Sequence, residues 1–317
     1  MVFAAWGGPP PHALNLIGTV FMSSESSLFN HRWLPLLLVA PLMLLIVLFF
    51  YVPVFQAFYW AFFLEQPFGG GSQFVGLQNF QRVLSDPEFW MAGWRTIVFM
   101  LTASSLAVIL PLMLAIAADR KIGMSLPARN ILVWPKGIAG ASIGVIFAFI
   151  FNPFVGLMAP LNTLFPGLWN PGIDGTDAFV TLVAAHVWSG IPFNFVILLA
   201  GLRSIPPTMY QAAAMDGAGP WRRILDVQLP LIMPQLFLTF VLEFTESITS
   251  VFALIDTITG GGPGGSTTLL VYKIYVDGFR GFDLSGASTQ TAILMVFVLL
   301  LAACQFVFLG RRINYER

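Results

Sequence analysis

Three ionisable side chains, Lys136, Glu243 and Glu246, fall inside long apolar runs. In lipid, a charge near the centre of such a run costs about 2.5–3.5 kcal/mol on insertion scales. Groups of this kind face a bundle interior or a wet cavity, so they mark a route for a polar or charged species. Glu243 and Glu246 are three residues apart and share a helix face with Ser247 and Ser250. His186, Trp188, Ser189 and Asn194 bring polar atoms into another run, where Gly190 and Pro192 are expected to break a helix. Broken helices at membrane depth line cavities. The set expected to line a solute path is therefore Lys136, Trp188, Asn194, Glu243, Glu246 and Ser250. Lys136 is the one basic residue placed to meet a phosphate. Its plainer alternatives are a structural ion pair with Glu243 or Glu246, or a position near the outer interface. Two carboxylates would repel a phosphate dianion and suit a neutral sugar or polyol better. A proton relay through Glu243, Glu246 and His186 is the rival chemistry, that of an ion-driven transporter.

Other chemistry is hard to assemble. His12, His31 and His186 are isolated, and no His/Cys/carboxylate group has metal-ligand spacing. The single cysteine, Cys304, lies in an apolar run and cannot form an intrachain disulfide. No Gly-x-x-x-x-Gly-Lys-Ser/Thr occurs, and the glycine-rich loops lack the lysine that would reach nucleotide phosphates. The chain is thus read as a non-enzyme with no cofactor of its own. Zero net charge gives no argument for nucleic acid.

Hydrophobic residues make up 57% of the chain and charged residues 9%, against about 25% charged in soluble domains. The chain belongs in a lipid bilayer. A span needs about 20 apolar residues, and six segments qualify, roughly 34–60, 96–118, 130–152, 178–201, 235–256 and 289–310. Pro135, Lys136, Gly137 and Gly140 interrupt the third. Residues 1–31 read as a disordered cytoplasmic tail, and the absence of Lys and Arg from 1–21 argues against a signal peptide. Residues 32–317 form the spanning domain. One alternating set of span ends holds Arg32, Arg120, Lys121, Arg129, Arg203, Arg222, Arg223, Arg311, Arg312 and Arg317. The other holds Arg82, Arg95, Lys273 and Arg280. The positive-inside rule then puts both termini and the 202–234 loop in the cytoplasm. The outer loops, 61–95, 153–177 and 257–288, are rich in Gly, Pro and aromatics. They either cap a cavity mouth or hang as flexible display.

The 202–234 segment is a polar, basic island between apolar runs. It reads as two short surface helices around a glycine turn. Ala212–Met215 begin the first by propensity; Gly217 and Gly219 stop it, and Pro220 suits the first turn of the second. Trp221, Ile224, Leu225 and Gln228 fall near one face, with Arg222, Arg223 and Asp226 elsewhere. A helix that merely lies on the bilayer is the plainer reading. A docking site for a cytoplasmic partner is the sharper one.

The ordered series Gln211-Ala212-Ala213, Asp216-Gly217-Ala218, Ile224 and Leu229-Pro230 resembles the EAA coupling loop of ABC importer permeases. The family's glutamate is Gln211 here, which can hydrogen-bond but cannot form a salt bridge. Further likeness lies in Arg32-Trp33-Leu34-Pro35, Phe74-Val75-Gly76-Leu77-Gln78-Asn79-Phe80, Phe151-Asn152-Pro153, Leu202-Arg203-Ser204-Ile205-Pro206 and Thr259-Gly260-Gly261-Gly262-Pro263. Together these resemble the carbohydrate-uptake, maltose-type class of permeases. Tyr272-Lys273-Ile274-Tyr275 and the Arg-Trp-Leu-Pro block tilt the likeness toward its glycerol-phosphate branch. The resemblance implies a type I importer fold in a bacterial inner membrane, a second homologous permease, a dimer of ATPase subunits that binds the ATP, and an extracytoplasmic solute-binding protein. It implies Gln211, Ala212, Ala213, Asp216, Gly217, Ala218, Arg222, Arg223, Leu229 and Pro230 as contacts to the ATPase. The implied solute is sn-glycerol-3-phosphate or a glycerophosphodiester, with a disaccharide or another polyol as the alternative.

Overall fold

The computed structural model describes residues 33–65, 71–120 and 134–310. The expected tail at 1–31, and the basic residues Arg32, Lys121, Arg129, Arg311, Arg312 and Arg317, lie outside them. The chain divides into two compact units, Met1–Gln56 and Ala57–Arg317.

The first unit contributes α1 (Leu34–Ile46), which runs through a π turn (Val47–Tyr51) toward α2 (Val52–Trp60). Pro41 sits inside α1. The 26-residue stretch Pro35–Trp60 is long and apolar enough to cross a membrane.

The second unit opens with a hairpin, β1 (Phe63–Glu65) antiparallel to β2 (Ser72–Phe74), with Phe63 opposite Phe74. Helix α3 (Gln78–Leu84) follows, and the Asn79 amide ties it back by donating to the carbonyls of Ala61 and Phe63, both at 3.0 Å. Two long helices form the core, α4 (Pro87–Arg120) and α7 (Gly175–Arg203). Between them lie a 3-10 turn (Trp134–Gly137), α5 (Gly140–Ile150) and α6 (Ala159–Leu164). After α7 come α8 (Pro207–Met215), α9 (Pro220–Arg223), a π turn (Ile224–Gln228) and α10 (Leu229–Leu231). The chain then bends by 72° at Ile232 into α11 (Met233–Thr249). It ends with α12 (Phe252–Ile258), α13 (Leu270–Tyr275), a π turn (Val276–Arg280) and α14 (Leu284–Gly310).

Two expected spans are interrupted, and one expected break is absent. The third span, expected at 130–152, contains only the 11-residue α5 as regular helix among its described residues. At 1.5 Å per residue that is roughly 16 Å, about half a hydrocarbon core. The fifth, 235–256, is broken at Ser250 and Val251 between α11 and α12. The fourth is unbroken, because α7 runs through Gly190 and Pro192 for 29 residues. Among the described residues, four helical stretches are long and apolar enough to cross a membrane, or five if the bent pair at Ile232 counts as one.

Helix α7 is the most enclosed of these, with 61% of its apolar window buried. Its Leu182, Ala185 and Val187 pack with Phe99 and Ala103 of α4 and with Ile143 of α5. Toward the other end, Phe195, Leu198 and Leu202 pack with Ala115 and Ile232. Helix α5 lies against α12 through small residues: a Cβ on Gly144 would collide with the Thr257 hydroxyl, and one on Gly140 would touch Ala253 at 3.5 Å.

The loop after α12 is packed, which favours the cap over flexible display for this segment. Thr267 and Leu269 are fully buried and Tyr272 nearly so. Lys273 bridges Asp277 at 3.0 Å and Asp86 at 3.2 Å. Burial works against its charge, but the two carboxylates outweigh burial and raise its pKa above the ordinary lysine value. The pair's stabilisation is therefore complete below that ordinary value and is lost only as pH rises past the raised one.

Candidate functional site: a capped surface turn and a polar cleft

The island between α7 and α11 is a built turn. Helix α8 ends in two nested hydrogen bonds, Gly217 N–H to the Ala214 carbonyl at 3.1 Å and Ala218 N–H to the Ala213 carbonyl at 2.9 Å. That is the Schellman arrangement, which requires a left-handed residue after the cap. Gly217 supplies it with φ +70°, a conformation that costs an L side chain about 1–2 kcal/mol. Gly219 is the next helix's cap, and Pro220 occupies its first turn. The Arg223 Nε donates to the Ala218 carbonyl at 2.9 Å, so the turn is closed from both sides.

The local reading needs two adjustments. Ala212 and Ala213 finish α8 rather than start a helix, because the chain becomes helical at Pro207. Trp221 and Leu225 do not share a buried face with Ile224 and Gln228. Ile224 and Gln228 are buried, whereas Trp221 is 76% exposed and Leu225 59%. The π turn over 224–228 shifts the side-chain period there. Gln211, Ala212, Asp216, Gly217, Arg222 and Pro230 are exposed, Ala213 is buried, and Ala218, Arg223 and Leu229 are half-buried. Sequence reasoning placed Gln228 on one face with Trp221, Ile224 and Leu225 but missed its side chain reaching Tyr210 Oη at 3.4 Å.

The intramembrane polar residues divide into two groups. Glu243 is 1% exposed and Asn194 fully buried. Asn194 Nδ2 donates to Glu243 Oε1 at 2.7 Å and to the Ala107 carbonyl at 2.8 Å. His186 Nε2 stands 3.6 Å from Glu243 Oε2. Gly190 leaves room for this carboxylate, since a Cβ there would lie 2.8 Å from Oε1. On the next turn, Ser104 bonds the Glu243 carbonyl and Ser247 Oγ, both at 3.2 Å. This group stitches α4, α7 and α11 together.

The second group lines an open cleft of about 270 Å³ between the 3-10 turn, α5, α7, α11 and α12. Its polar lining is Lys136, His186, Ser189, Glu246 and Ser250. Lys136 Nζ holds Glu246 Oε1 at 2.8 Å and lies 5.8 Å from the Phe193 ring centroid. Of the expected path residues, Lys136, Glu246 and Ser250 meet at this cleft. Glu243 and Asn194 are sealed behind it. Trp188 packs on Phe147 with ring centroids 5.6 Å apart, in the core cluster. His186 and Ser189 belong to the cleft and were not in the expected set, although their positions in a polar-dotted run had drawn notice.

A helical bundle with a capped surface turn at one end and a polar cleft within its spans has the architecture of a multi-pass transport permease. The chain belongs to the family of binding-protein-dependent transport system inner membrane components, whose profile matches residues 87–315. It is 37% identical over 295 residues to the sn-glycerol-3-phosphate transport system permease protein UgpA of Pectobacterium atrosepticum, covering 93% of this chain and 100% of that one. It is 40% identical over 288 residues to the protein of the same name from Brucella abortus, covering 91% and 98%. Among solved structures it resembles a chain of a bacterial ABC transporter involved in the import of the acidic polysaccharide alginate. The TM-score is 0.73 at 21% identity, covering 89% of this chain and 96% of that one. At that identity the likeness carries the type I importer fold and nothing finer.

Proposed function

We propose that this chain is one permease of a heterodimeric pore that imports sn-glycerol-3-phosphate, driven by ATP hydrolysis in a partner ATPase dimer. The relatives' shared name, at 37% and 40% identity over nearly the whole chain, carries the choice of solute. The exposed turn around Gly217, with Gln211, Ala212, Asp216 and Arg222 beside it, is the surface that receives the ATPase. Ala213, Ala218, Arg223, Leu229 and Pro230 hold its shape. The distribution of Lys and Arg supports a cytoplasmic position for this turn and for both termini, in a bacterial inner membrane. Six crossings follow if α5 with its neighbours and α11 with α12 each serve as one interrupted span. An extracytoplasmic binding protein delivers the solute to the outer loops. Lys136, Glu246 and Ser250 line the path, with Glu243, Asn194 and Trp188 forming its wall. ATP binds to the partner and not to this chain.

The test is solute preference. The purified complex, with its binding protein, is placed in proteoliposomes and offered labelled sn-glycerol-3-phosphate, maltose or trehalose. Accumulation of glycerol-3-phosphate alone is expected. Accumulation of only a neutral sugar would discard this solute and leave the permease class intact.

A further inference from the structure

We infer that Lys136 is the residue that selects an anionic solute over a neutral one, and that Glu246 holds it in reserve until the anion arrives. This rests on the solute proposed above.

Lys136 is the one cationic side chain that opens onto the cleft among the described residues. His186 also reaches it but is 3% exposed and faces Glu243. Glu246 is the one carboxylate on the lining. Glu243 sits behind the wall, hydrogen-bonded to Asn194, with His186 Nε2 3.6 Å from its other oxygen. Helices α5 and α12 contribute Gly140, Ile143, Ala253 and Leu254, none of them charged. The objection that two carboxylates would repel a phosphate therefore reduces to one, and that one is already neutralised by Lys136.

The Lys136–Glu246 pair is also reachable. The two side chains are 39% and 36% exposed, unlike the buried dyad beside them. Because neither side chain is sealed in protein, an anion entering the cleft can reach Lys136 and take the place of Glu246. A phosphoryl group offers Lys136 several acceptor oxygens in place of one. The ammonium stays near the Phe193 ring on α7 in either case. Glu246, once released, can accept hydrogen bonds from the solute's hydroxyls, but it also opposes the incoming negative charge. The two residues therefore have opposite effects on a phosphate ester. A purely structural ion pair would make them equivalent.

That opposition is the test. The purified complex without its binding protein is equilibrated by dialysis with labelled sn-glycerol-3-phosphate. Lys136→Gln is expected to weaken binding more than about tenfold, the loss of one charge-assisted hydrogen bond. Lys136→Arg should keep it within roughly threefold, since charge and donors persist. Glu246→Gln should tighten it several-fold. Glycerol, as a neutral probe, should be indifferent to Lys136→Gln. Gel filtration of each variant complex confirms assembly. If Lys136→Gln and Glu246→Gln shift binding in the same direction, or not at all, the inference is overturned. Binding too weak to register in any form overturns it too. In both cases the uptake assay above judges the solute separately, so the two failures stay distinct.

Discussion

Gly217→Pro should abolish solute uptake by the assembled complex while leaving the bundle folded. Gly217 has φ +70°, and proline fixes φ near −65°, so the Schellman cap cannot form. Proline also removes the N–H that bonds the Ala214 carbonyl and pushes the residue before it toward extended ψ, away from the ψ of 4° that Asp216 has as the helix cap. The damage stays local because nothing lies within 4 Å of a Cβ at this position. Gly217→Ala is the graded control. It meets open space and carries only the left-handed penalty, about 1–2 kcal/mol, so partial uptake should survive. ATP hydrolysis measured alongside uptake completes the reading. Hydrolysis that continues without uptake in Gly217→Pro marks a broken link between the two. Full uptake in that variant would show that the turn's shape is irrelevant to transport.

Glu243→Ala should lower the stability of the solubilised complex by about 3 kcal/mol or more, through two additive causes. The Asn194 amide loses its 2.7 Å carboxylate acceptor and keeps only the Ala107 carbonyl, at about 1–3 kcal/mol for a buried polar group left short of partners. The missing carboxylate also leaves a cavity among α4, α7 and α11, with its own cost. Glu243→Gln keeps the shape and an acceptor for Asn194, and should stay close to the parent. Gly190→Ala should resemble a mild form of the alanine variant, because its Cβ would intrude to 2.8 Å from Glu243 Oε1. Thermal inactivation in detergent orders the three. If Glu243→Ala were as stable as the parent, the buried stitch would not hold these helices.

Much of the turn could be read from residue types. Glycine and proline have backbone requirements that survive any tertiary context, so Gly217, Gly219 and Pro220 fixed a stop, a cap and a start. Alanines carry no such instruction, and Ala212-Ala213 could equally open or close a helix. The intramembrane charges were conspicuous because lipid makes them costly. Their division was hidden, since residues three apart on a helix still differ by about 60° in direction. That difference seals Glu243 against α7 and turns Glu246 toward the cleft. The unbroken course of α7 through Pro192 was equally out of reach. Proline removes one hydrogen bond, and α7 is anchored on both sides of it, through Leu182 in one core cluster and Leu198 and Leu202 in another. The short α5 depends on a partner, α12, that approaches closely enough only because residue 144 is glycine.

In the function proposed here, solute moves by ATP turnover in a partner and not by an ion gradient. The most direct measurement is labelled sn-glycerol-3-phosphate uptake into proteoliposomes holding the complete complex, with ATP sealed inside and an uncoupler added. Uptake that needs ATP and ignores the uncoupler is the predicted result. Uptake that proceeds without ATP and collapses with the uncoupler would contradict the account, and would move Glu243, Glu246 and His186 from structural and solute contacts to a proton path.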